Sequence, residues 1–591
     1  MAAPPRAPRR VRLPWFVLAA LLAPAFSLLR ANYLEGIASS YTACSGCFML
    51  PTLGQDAWVL ALICALLGAA AALPSRLPRA LLAGTAVSLI LAVVLDTILL
   101  RLFTQRFYLA DLLRFGGELA HDWSVVRDTL FSLQGAPYWI AAVLVGIVLI
   151  GALRARQARS QAFILGFLAT AAVAFAVFTG VRAPLRYVHT AYTSNLIVAN
   201  LPQGREKAFS PAYAQHQLQQ ATRQAQVCAR AAPSGKSVVI VLTESLSAYQ
   251  SALLGGPRDW LPQLDALARG NHYFMHFYAN GFGTDGGEIA TITGRVPAVP
   301  PGESWYALPN FGPDDHTLVG IAHRAGYSAH YFTSADLSFL DSGAWLRKLG
   351  FDSVEGNEGA FYRDQPRGQF GAPEDAVLFA RFERWLEERT DPQPFVAVLL
   401  TVSSHPPFIN PRSGKSDPEG TFRYVDAQLA AFHAQLAQRG FLDRGVLLIS
   451  GDHRSMTPLI DDEYRRFGER SFARIPLIVA GAVDMPAVVE AGFQQSDIPA
   501  SVARFIGVDH CRSAFTGTFL DAAPAAPQYV LHTRGDDRNR VDVYFGDTVA
   551  GYAEDGDSSH WIGTPPPDAD KVAAWIDAQR IRNGTAVPVE R

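Results

Sequence analysis

Eight residues carry the strongest signal in this chain: Gly281-Phe282-Gly283-Thr284-Asp285-Gly286-Gly287-Glu288. They lie between an apolar run that ends at Thr243-Glu244-Ser245 and a later one that ends at Gly451-Asp452-His453. Continuous apolar runs that end at polar residues indicate strands buried on both faces of a sheet. An Ile-Ala-Thr-Ile sequence follows the eight residues and predicts a helix, so Thr284 should lie at a helix amino terminus.

The polar residues at these strand ends are of the types that bind a divalent cation. Glu244, Asp452 and His453 offer hard oxygens and one imidazole, which suit Mn²⁺, Mg²⁺ or Zn²⁺. A hydroxyl bound to such an ion loses its proton readily, and the N–H groups of a helix amino terminus stabilise an alkoxide and an incoming phosphate. Thr284 is therefore predicted to be a metal-bound nucleophile that attacks phosphorus. The alternative for each motif taken alone is structural: Thr284 caps the helix, and the other groups end their strands in solvent.

A further polar strand end lies in Thr401-Val402-Ser403-Ser404-His405-Pro406-Pro407-Phe408. The two prolines favour an extended backbone after His405. Ligands of open α/β sheets gather beyond the carboxyl ends of the strands. His405 is therefore predicted to contact phosphate or to donate a proton to a departing alcohol. A buried structural histidine is the alternative.

After residue 236 the sequence alternates between strand and helix patterns. The predicted strands are residues 237–242, 328–332, 395–402, 446–450 and 475–480. Helical spacing between them predicts an α/β domain with a mainly parallel or mixed sheet over residues 236–525. Residues 526–591 are predicted to form a carboxy-terminal β-meander and a helix packed on that domain.

Apolar residues concentrate at the amino-terminal end, although hydrophobic residues make up 49% of all 591. Five runs are each close to the ~20 residues that cross a bilayer as a helix. They are residues 14–29, 57–73, 80–103, 138–153 and 162–181. The sequence therefore predicts a five-helix transmembrane domain over residues 1–182 and a linker arm over residues 183–235. Asp96, inside the third run, is predicted to be a solvated carboxylate near its outer end.

Arginine placement predicts the orientation of these spans. Residues 6–12, 76–79 and 154–159 contain arginine and no acid. Because short cytoplasmic segments are enriched in Lys and Arg, the amino terminus is predicted to be cytoplasmic and everything after residue 182 to be outside. A cleavable signal peptide is the alternative for the first run, but no small-residue cleavage site follows it. Residues 105–135 are predicted to form an amphipathic surface helix or a solvated loop.

Charge and cysteine content limit the classes of protein to which the chain can belong. The formal net charge is -2, and the absence of a dense basic stretch argues against nucleic-acid binding. Five cysteines are too few for a disulfide framework in so long a chain. Cys44 and Cys47 form a C-x-x-C for which a local disulfide or two free thiols are both open. Cys228 and Cys511 could pair in an oxidising compartment, which the sequence leaves undecided.

Together, these motifs resemble one family. The Glu244-Ser245 strand end, the Gly-x-x-Thr-x-x-x-Glu turn at residues 281–288, the Ser-x-His-x-Pro-Phe loop at 403–408 and the Gly-Asp-His turn at 451–453 follow five apolar runs and a linking arm. This arrangement is similar to the lipoteichoic-acid synthase branch of the alkaline phosphatase and sulfatase superfamily. The resemblance covers nearly the whole chain. It implies an alkaline phosphatase/sulfatase-like α/β domain outside the cell.

The resemblance also implies an activity. The metal ligands would be Glu244, Thr284, Asp452 and His453. The expected metal is manganese, with magnesium or zinc as alternatives. Thr284 would also be the nucleophile, and His405 would lie in the substrate pocket. The implied reaction takes phosphoglycerol from phosphatidylglycerol, forms a phospho-threonine, releases diacylglycerol and passes the group to a hydroxyl of a cell-envelope polymer or glycan. The implied location is a bacterial-type cytoplasmic (inner) membrane, where the protein would meet its phospholipid donor, the bilayer and the envelope acceptor.

The chain departs from the family pattern at residues 333–342. There the family has His and Asp followed by Phe-Trp-Asn-Arg, which clasp the glycerol phosphate, whereas this sequence has Thr-Ser-Ala-Asp-Leu-Ser-Phe-Leu-Asp-Ser. His330, Asp336 and Lys348 are the candidates to bind substrate instead. Two alternatives stay open: a phosphoethanolamine transferase acting on lipid or glycan, and a catalytically silent envelope scaffold. A sulfatase is disfavoured because no Cys or Ser followed by x-Pro-x-Arg occurs at Thr284.

Overall fold

The computed structural model describes residues 13–39, 48–103, 106–109, 136–182, 190–200, 208–222, 227–229, 232–300, 308–457, 459, 461–535, 537 and 539–584. These residues divide into two compact units. The described residues up to 109 and from 136 to 200 form a helical unit, and those from 208 onward form an α/β unit. Cys44, Cys47 and almost all of the segment 105–135 lie outside the described residues.

The helical unit contains the predicted apolar runs. Its helices are Trp15–Ala20, Leu22–Ser39, Met49–Ala72, Arg76–Phe103, Ala136–Arg154, Arg159–Arg182, Thr190–Thr193 and Leu196–Ala199. Four stretches are long and apolar enough to cross a membrane: Trp15–Gly36, Met49–Ala72, Arg76–Arg101 and Arg159–Gly180. The remaining predicted span coincides with a shorter apolar stretch, Ala142–Arg154. Four of the five spans therefore have helices of sufficient length, and the count of five stays a prediction.

The prediction that Asp96 is solvated is wrong. Its side chain is buried and paired with two buried arginines. Arg106 donates from Nε and Nη2 to the two carboxylate oxygens at 2.9 and 3.0 Å, and Arg30 donates from Nη1 at 3.3 Å. Arg30 also donates to Asp56 at 2.7 Å. Because two arginines face two aspartates, the charges compensate one another within the helical unit.

The α/β unit is built on an eight-stranded mixed sheet with the order β11-β3-β10-β8-β2-β7-β5-β6. Its strands are β2 (Ser237–Thr243), β3 (His272–Phe274), β5 (Ser328–Thr333), β6 (Ser353–Glu355), β7 (Phe395–Leu400), β8 (Gly445–Gly451), β10 (Leu477–Gly481) and β11 (Val488–Val489). The five strands β8, β2, β7, β5 and β6 run parallel, and β10 is antiparallel to β8. The expected mixed α/β sheet is confirmed.

The α/β unit also contains α-helices, which lie before, between and after its strands in the chain. They are Pro211–Thr222, Pro262–Arg269, Thr284–Thr293, Leu318–Arg324, Ser342–Leu349, Asp375–Glu388, Pro418–Gln438, Asp461–Phe467, Ile498–Ile506 and Ala569–Arg582. The aliphatic side chains of β2, β7 and β8 are buried because helices and loops cover the central strands.

Smaller sheets complete the α/β unit. A three-stranded sheet joins β12 (Phe493–Gln494), β4 (Phe277–Tyr278) and β9 (Arg474–Ile475), and a two-stranded sheet joins β1 (Val227–Ala229) and β13 (His510–Arg512). Cys228 and Cys511 face each other in that pair and form a disulfide. The carboxy-terminal sheet is antiparallel, with β14 (Val530–Thr533), β15 (Arg540–Phe545), β16 (Thr548–Asp555) and β17 (Ser558–Ile562).

Strand register brings the polar strand ends to one edge of the large sheet. Thr243, the last residue of β2, pairs with Gly451, the last residue of β8. Leu242 pairs with Leu400, the last residue of β7. Because parallel strands end level with one another, the residues that follow them emerge side by side. The chain thereby delivers distant segments to a single site.

Candidate active site

Three predicted metal ligands form a buried cluster at this edge. Suitable ligand atoms of Glu244, Asp452 and His453 all lie within 4.8 Å of one another. Nε2 of His453 is 3.5 Å from Oε1 of Glu244 and 3.4 Å from Oδ2 of Asp452. The three residues are at most 3% exposed. Two carboxylates and one imidazole buried at such distances require protons or a cation to offset their charge.

Thr284 adds a hydroxyl to the cluster. Its Oγ1 donates to Oε2 of Glu244 at 3.1 Å and lies 3.4 Å from Nε2 of His453. Thr284 is the first residue of the helix Thr284–Thr293, and Gly283 occupies the capping position without a side-chain capping bond. The hydroxyl therefore points toward the cluster rather than serving as the helix cap.

Glycines allow this helix to approach the turn that carries Asp452 and His453, here called the ligand turn. A Cβ added to Gly287 would lie 2.0 Å from the carbonyl oxygen of Asp452, well inside van der Waals contact. Gly281 and Gly286 approach each other similarly, since a Cβ on Gly281 would lie 2.7 Å from Cα of Gly286. These positions tolerate no larger side chain without movement of the backbone.

Backbone contacts orient the ligand side chains. Nδ1 of His453 lies 2.8 Å from the carbonyl oxygen of Arg454, so Nδ1 carries a proton and Nε2 faces the cluster, where it could bind a cation after losing its own proton. Oδ1 of Asp452 accepts from the backbone N–H groups of Ser245 at 2.8 Å and His453 at 2.7 Å. Ser245 adopts a positive φ of 57° and donates from Oγ to Oε1 of Glu244 at 2.7 Å. A serine held in this region signals a backbone conformation imposed by its surroundings.

Burial and charge shift the protonation of the cluster in opposite directions. Burial, with the charge of Glu244 adding to it, raises the pKa of Asp452 to about 8. Burial alone would lower the pKa of His453, but the carboxylates of Asp452 and Glu244 outweigh it and raise that pKa to about 9. Burial opposes ionisation of Glu244, yet His405 and His453 together lower its pKa to about 2. The metal-free cluster therefore retains protons near neutral pH.

The residues present fit a divalent cation. Oδ2 of Asp452 is buried and accepts no hydrogen bond from any residue that the structure describes. A buried oxygen of this kind, beside a correctly oriented imidazole nitrogen and a second carboxylate, is suited to a positive ion. Glu244, Asp452, His453 and the Thr284 hydroxyl are the groups that would hold it.

His405 lies beside the cluster, since it directly follows Ser404, whose hydroxyl donates to the carbonyl oxygen of Glu244 at 2.6 Å. Its Nδ1 is 2.7 Å from the carbonyl oxygen of Pro406, which leaves Nε2 for another partner. The imidazole packs edge to face with Phe370, with ring centroids 4.5 Å apart. Phe370 has a positive φ of 52°, which a bulky residue rarely adopts. This aromatic side chain gives the site an apolar wall that the sequence did not indicate.

The three remaining predicted residues are placed differently. Asp336 lies on the loop after β5, at the same edge of the sheet, where it accepts hydrogen bonds from Ser338. His330 lies in the amino-terminal half of β5, where its ring nitrogens contact the hydroxyls of Ser353 and Ser328 at 2.7 and 2.9 Å. The structure therefore does not bring His330 to the cluster. Lys348 is exposed near the end of the helix Ser342–Leu349.

Sequence reasoning did not find the residues that support the site. Thr401 accepts the backbone N–H of Glu244 with Oγ1 at 3.0 Å, and Ser404 donates from Oγ to the carbonyl oxygen of Glu244 at 2.6 Å. Gln495 donates from Nε2 to the carbonyl oxygen of Asp452 at 2.6 Å. Thr401 and Ser404 could have been suspected because they follow a strand. Gln495 has no comparable local signal.

Comparison with known proteins identifies the α/β unit. Residues 236–508 match the Sulfatase family model. This match confirms the sulfatase-like domain that the motifs indicated.

The chain is similar to curated transferases over part of their length. It is 26% identical over 217 residues to phosphoglycerol transferase I of Escherichia coli, covering 34% of this chain and 28% of that protein. It is 22% identical over 313 residues to the lipoteichoic acid synthase of Staphylococcus saprophyticus, covering 48% of this chain and 47% of that protein. The matched segments thus span less than half of either relative.

A solved structure aligns with part of this chain. The crystal structure of the lipoteichoic acid synthase LtaP from Listeria monocytogenes aligns with a TM-score of 0.46 and 19% identity, covering 62% of this chain and 96% of that one.

Proposed function

We propose that this protein is a metal-dependent phosphotransferase that moves phosphoglycerol from phosphatidylglycerol to a hydroxyl of a cell-envelope polymer or glycan. The observation that carries the proposal is the position of the Thr284 hydroxyl, at a helix amino terminus and within 3.4 Å of both Glu244 and His453. The named activities of the two curated relatives support the phosphoglycerol group and the envelope acceptor.

The chain's own groups account for two displacement steps. Thr284 Oγ1 gives up its proton within the cluster and attacks phosphorus, and the bond from phosphorus to the diacylglycerol oxygen breaks. His405 donates a proton to that departing oxygen. An acceptor hydroxyl then attacks the phospho-threonine and loses its proton to His405. The bond from phosphorus to Oγ1 breaks, and Oγ1 takes its proton back from the cluster, which regenerates Thr284. A bound divalent cation, with Mn²⁺ as the first candidate, would supply Lewis-acid stabilisation of the charge on the transferring group.

A lipid donor suits the rest of the chain. Apolar helices long enough to cross a bilayer precede the sulfatase-family domain in the sequence. The arginine pattern of the segments between the apolar runs favours a cytoplasmic amino terminus in an inner membrane, with the catalytic domain outside. Phosphatidylglycerol is then available to the catalytic domain as a component of the same membrane.

Covalent labelling tests the proposal. The full chain in nanodiscs is incubated with Mn²⁺ and with phosphatidylglycerol that carries ³²P in its head group. Wild type should acquire label and release diacylglycerol, and Thr284→Ala should do neither. Thr291→Ala is the matched control, because its buried hydroxyl lies in the same helix and forms no hydrogen bond among the described residues. Label on Thr284→Ala, or its absence from wild type with every donor, contradicts the proposal.

Phosphoethanolamine is the second candidate for the transferred group, because residues 333–342 lack the Trp and Arg of the family pattern and instead place Asp336 at the site's edge of the sheet. A carboxylate suits an ammonium group better than a glycerol. Diacylglycerol release from phosphatidylethanolamine and from phosphatidylglycerol, compared at equal concentration, separates the two donors. If Asp336 selects ethanolamine, Asp336→Asn should lower release from phosphatidylethanolamine alone.

A further inference from the structure

The carbonyl oxygen of Asp452 contacts both the side chain of Gln495 and the helix that begins at Thr284. Gln495 donates from its side-chain Nε2 to this oxygen at 2.6 Å and to the carbonyl oxygen of Gly451 at 3.0 Å. Gly451 is the last residue of β8, and Asp452 is the first predicted ligand after it. Gln495 is fully buried, so water does not compete for these hydrogen bonds.

The other side of the same amide holds the segment that leads to Thr284. Oε1 of Gln495 accepts from the backbone N–H of Asn280 at 3.1 Å. The side chain of Asn280 accepts in turn from the backbone N–H of Ser496 at 2.8 Å. The side-chain amide of Gln495 therefore donates to the carbonyl oxygens of Gly451 and Asp452 and accepts from Asn280, which directly precedes the turn at residues 281–288.

Helix packing makes the position of this carbonyl important. Gly287, in the first turn of the helix that begins at Thr284, packs directly against the carbonyl oxygen of Asp452. A displacement of that oxygen changes the distance between the helix and the ligand turn. Oγ1 of Thr284 and Oδ2 of Asp452 would then move relative to each other.

We propose that Gln495 is a positioning residue that fixes the nucleophile Thr284 relative to the metal ligands Asp452 and His453. Gln495 acts through the backbone, because its side chain forms hydrogen bonds with backbone groups of Gly451, Asp452 and Asn280. The proposal deepens the proposed function and rests on it.

The carboxy-terminal sheet also contacts Asn280. Asn280 donates from Nδ2 to the carbonyl oxygen of Leu531 at 2.7 Å, and its own carbonyl oxygen accepts from the backbone N–H of Thr533 at 2.8 Å. Both partners lie in β14. This strand therefore also holds Asn280 and limits its movement.

Gln495→Met tests the proposal, because methionine has a similar volume and no donor. In the full chain, the variant should bind Mn²⁺ about 10-fold more weakly and show a kcat about 10- to 100-fold lower, with KM for the lipid donor within twofold of wild type. Gln495→Glu is the second variant, since it keeps the shape and the acceptor but loses the amide donors. It should show the same losses if Gln495→Met fails to fold.

Asn583→Leu is the matched control. Asn583 is a buried amide that also donates from Nδ2 to two backbone carbonyls, those of Val296 and Ala298. Its loss should lower the melting temperature as much as Gln495→Met does while leaving kcat and Mn²⁺ affinity unchanged. If Asn583→Leu reproduces the kinetic and metal losses, or if both Gln495 variants retain wild-type Mn²⁺ affinity and kcat, the positioning role is overturned.

Mn²⁺ affinity, measured by electron paramagnetic resonance of the free ion, separates this proposal from the proposed function. If wild type transfers no group from either lipid, the proposed function fails. Weaker Mn²⁺ binding by Gln495→Met, but not by Asn583→Leu, would still support the positioning of the ligand turn. Equal Mn²⁺ binding by all three proteins would overturn it.

Discussion

Gly287 and Asp452, which are 165 positions apart in the numbering, approach so closely that a Cβ on the glycine would lie 2.0 Å from the aspartate's carbonyl oxygen. The distance between the nucleophile and its metal ligands depends on this contact, because Gly287 belongs to the helix that begins at Thr284.

Gly287→Ala should therefore impair both stability and catalysis. The added methyl group overpacks the interface, which costs about 1–3 kcal/mol of unfolding free energy. The resulting shift of the helix should lower kcat by about 100-fold, because reacting groups lose alignment. Melting temperature and diacylglycerol release measure the two effects. Gly312→Ala is the control, since no described residue other than its chain neighbours lies within 4 Å of its added Cβ; equal effects of both substitutions would contradict the prediction.

Metal affinity should rise with pH. The pKa of His453 is about 9 and that of Asp452 about 8 in the metal-free site, so a cation must displace protons below these values. The dissociation constant for Mn²⁺ should fall between pH 6 and pH 9, by up to about tenfold per pH unit for each proton released. Titrations at several pH values check this, and calorimetry in two buffers of different ionisation enthalpy counts the protons. A dissociation constant that is constant over this range would refute the prediction.

Glu288→Gln should stabilise the protein at alkaline pH only. Burial raises the pKa of Glu288 to about 7, although Tyr331 donates to its carboxylate at 2.5 Å. A folded pKa above the unfolded value means that the contribution to stability is fully present below the unfolded pKa, near 4.5, and is lost as pH rises through 7. The amide does not ionise, so at pH 8 the variant should unfold with a free energy higher by on the order of 3 kcal/mol.

Urea unfolding at pH 5 and pH 8 measures this difference. Exposed Glu490→Gln serves as the control, since its side chain is not buried and the substitution should not reproduce the stabilisation at pH 8. A stabilisation of Glu288→Gln that is the same at both pH values would show that charge burial is not its cause.

Reduction of the disulfide should destabilise the α/β unit. Cys228 and Cys511 are separated by 283 positions, and a bond that closes so long a loop restricts the unfolded chain strongly. Paired substitution by serine should lower the unfolding free energy by about 2–5 kcal/mol. Melting with and without a reductant measures the effect. Cys64→Ala, at a buried cysteine that is free, should leave the response to reductant unchanged.

Much of the α/β fold could be predicted from local patterns. The apolar runs at residues 237–242 and 446–450 correspond to β2 and β8, because strands covered on both faces must be apolar throughout. The short strands β3 and β11 were not predicted, since two or three residues show no periodicity. Asp96 was misplaced for a different reason: its partners Arg30 and Arg106 lie on other segments, so its burial depends on tertiary contacts.

The candidate site divides in the same way. Residue chemistry singled out Glu244, Asp452 and His453 after strands and Thr284 at a helix amino terminus, and the structure brings these residues together. His330 satisfied the chemistry but lies toward the other end of its strand. The apolar pattern indicates that His330 lies in a strand. Its distance from the carboxyl end of that strand depends on where the strand begins and ends, which the pattern does not specify.

The sequence by itself determined the chemical groups of this protein and the order in which strands deliver them, because apolar runs and the residues after them are local properties of the chain. Only the tertiary structure decided how those groups are held: Gln495 on the Asp452 carbonyl, Gly287 against the same oxygen, and the Asp96 carboxylate between two arginines. Each of these contacts joins segments that are distant in sequence. Their partners follow from strand register and helix packing, which no local pattern specifies.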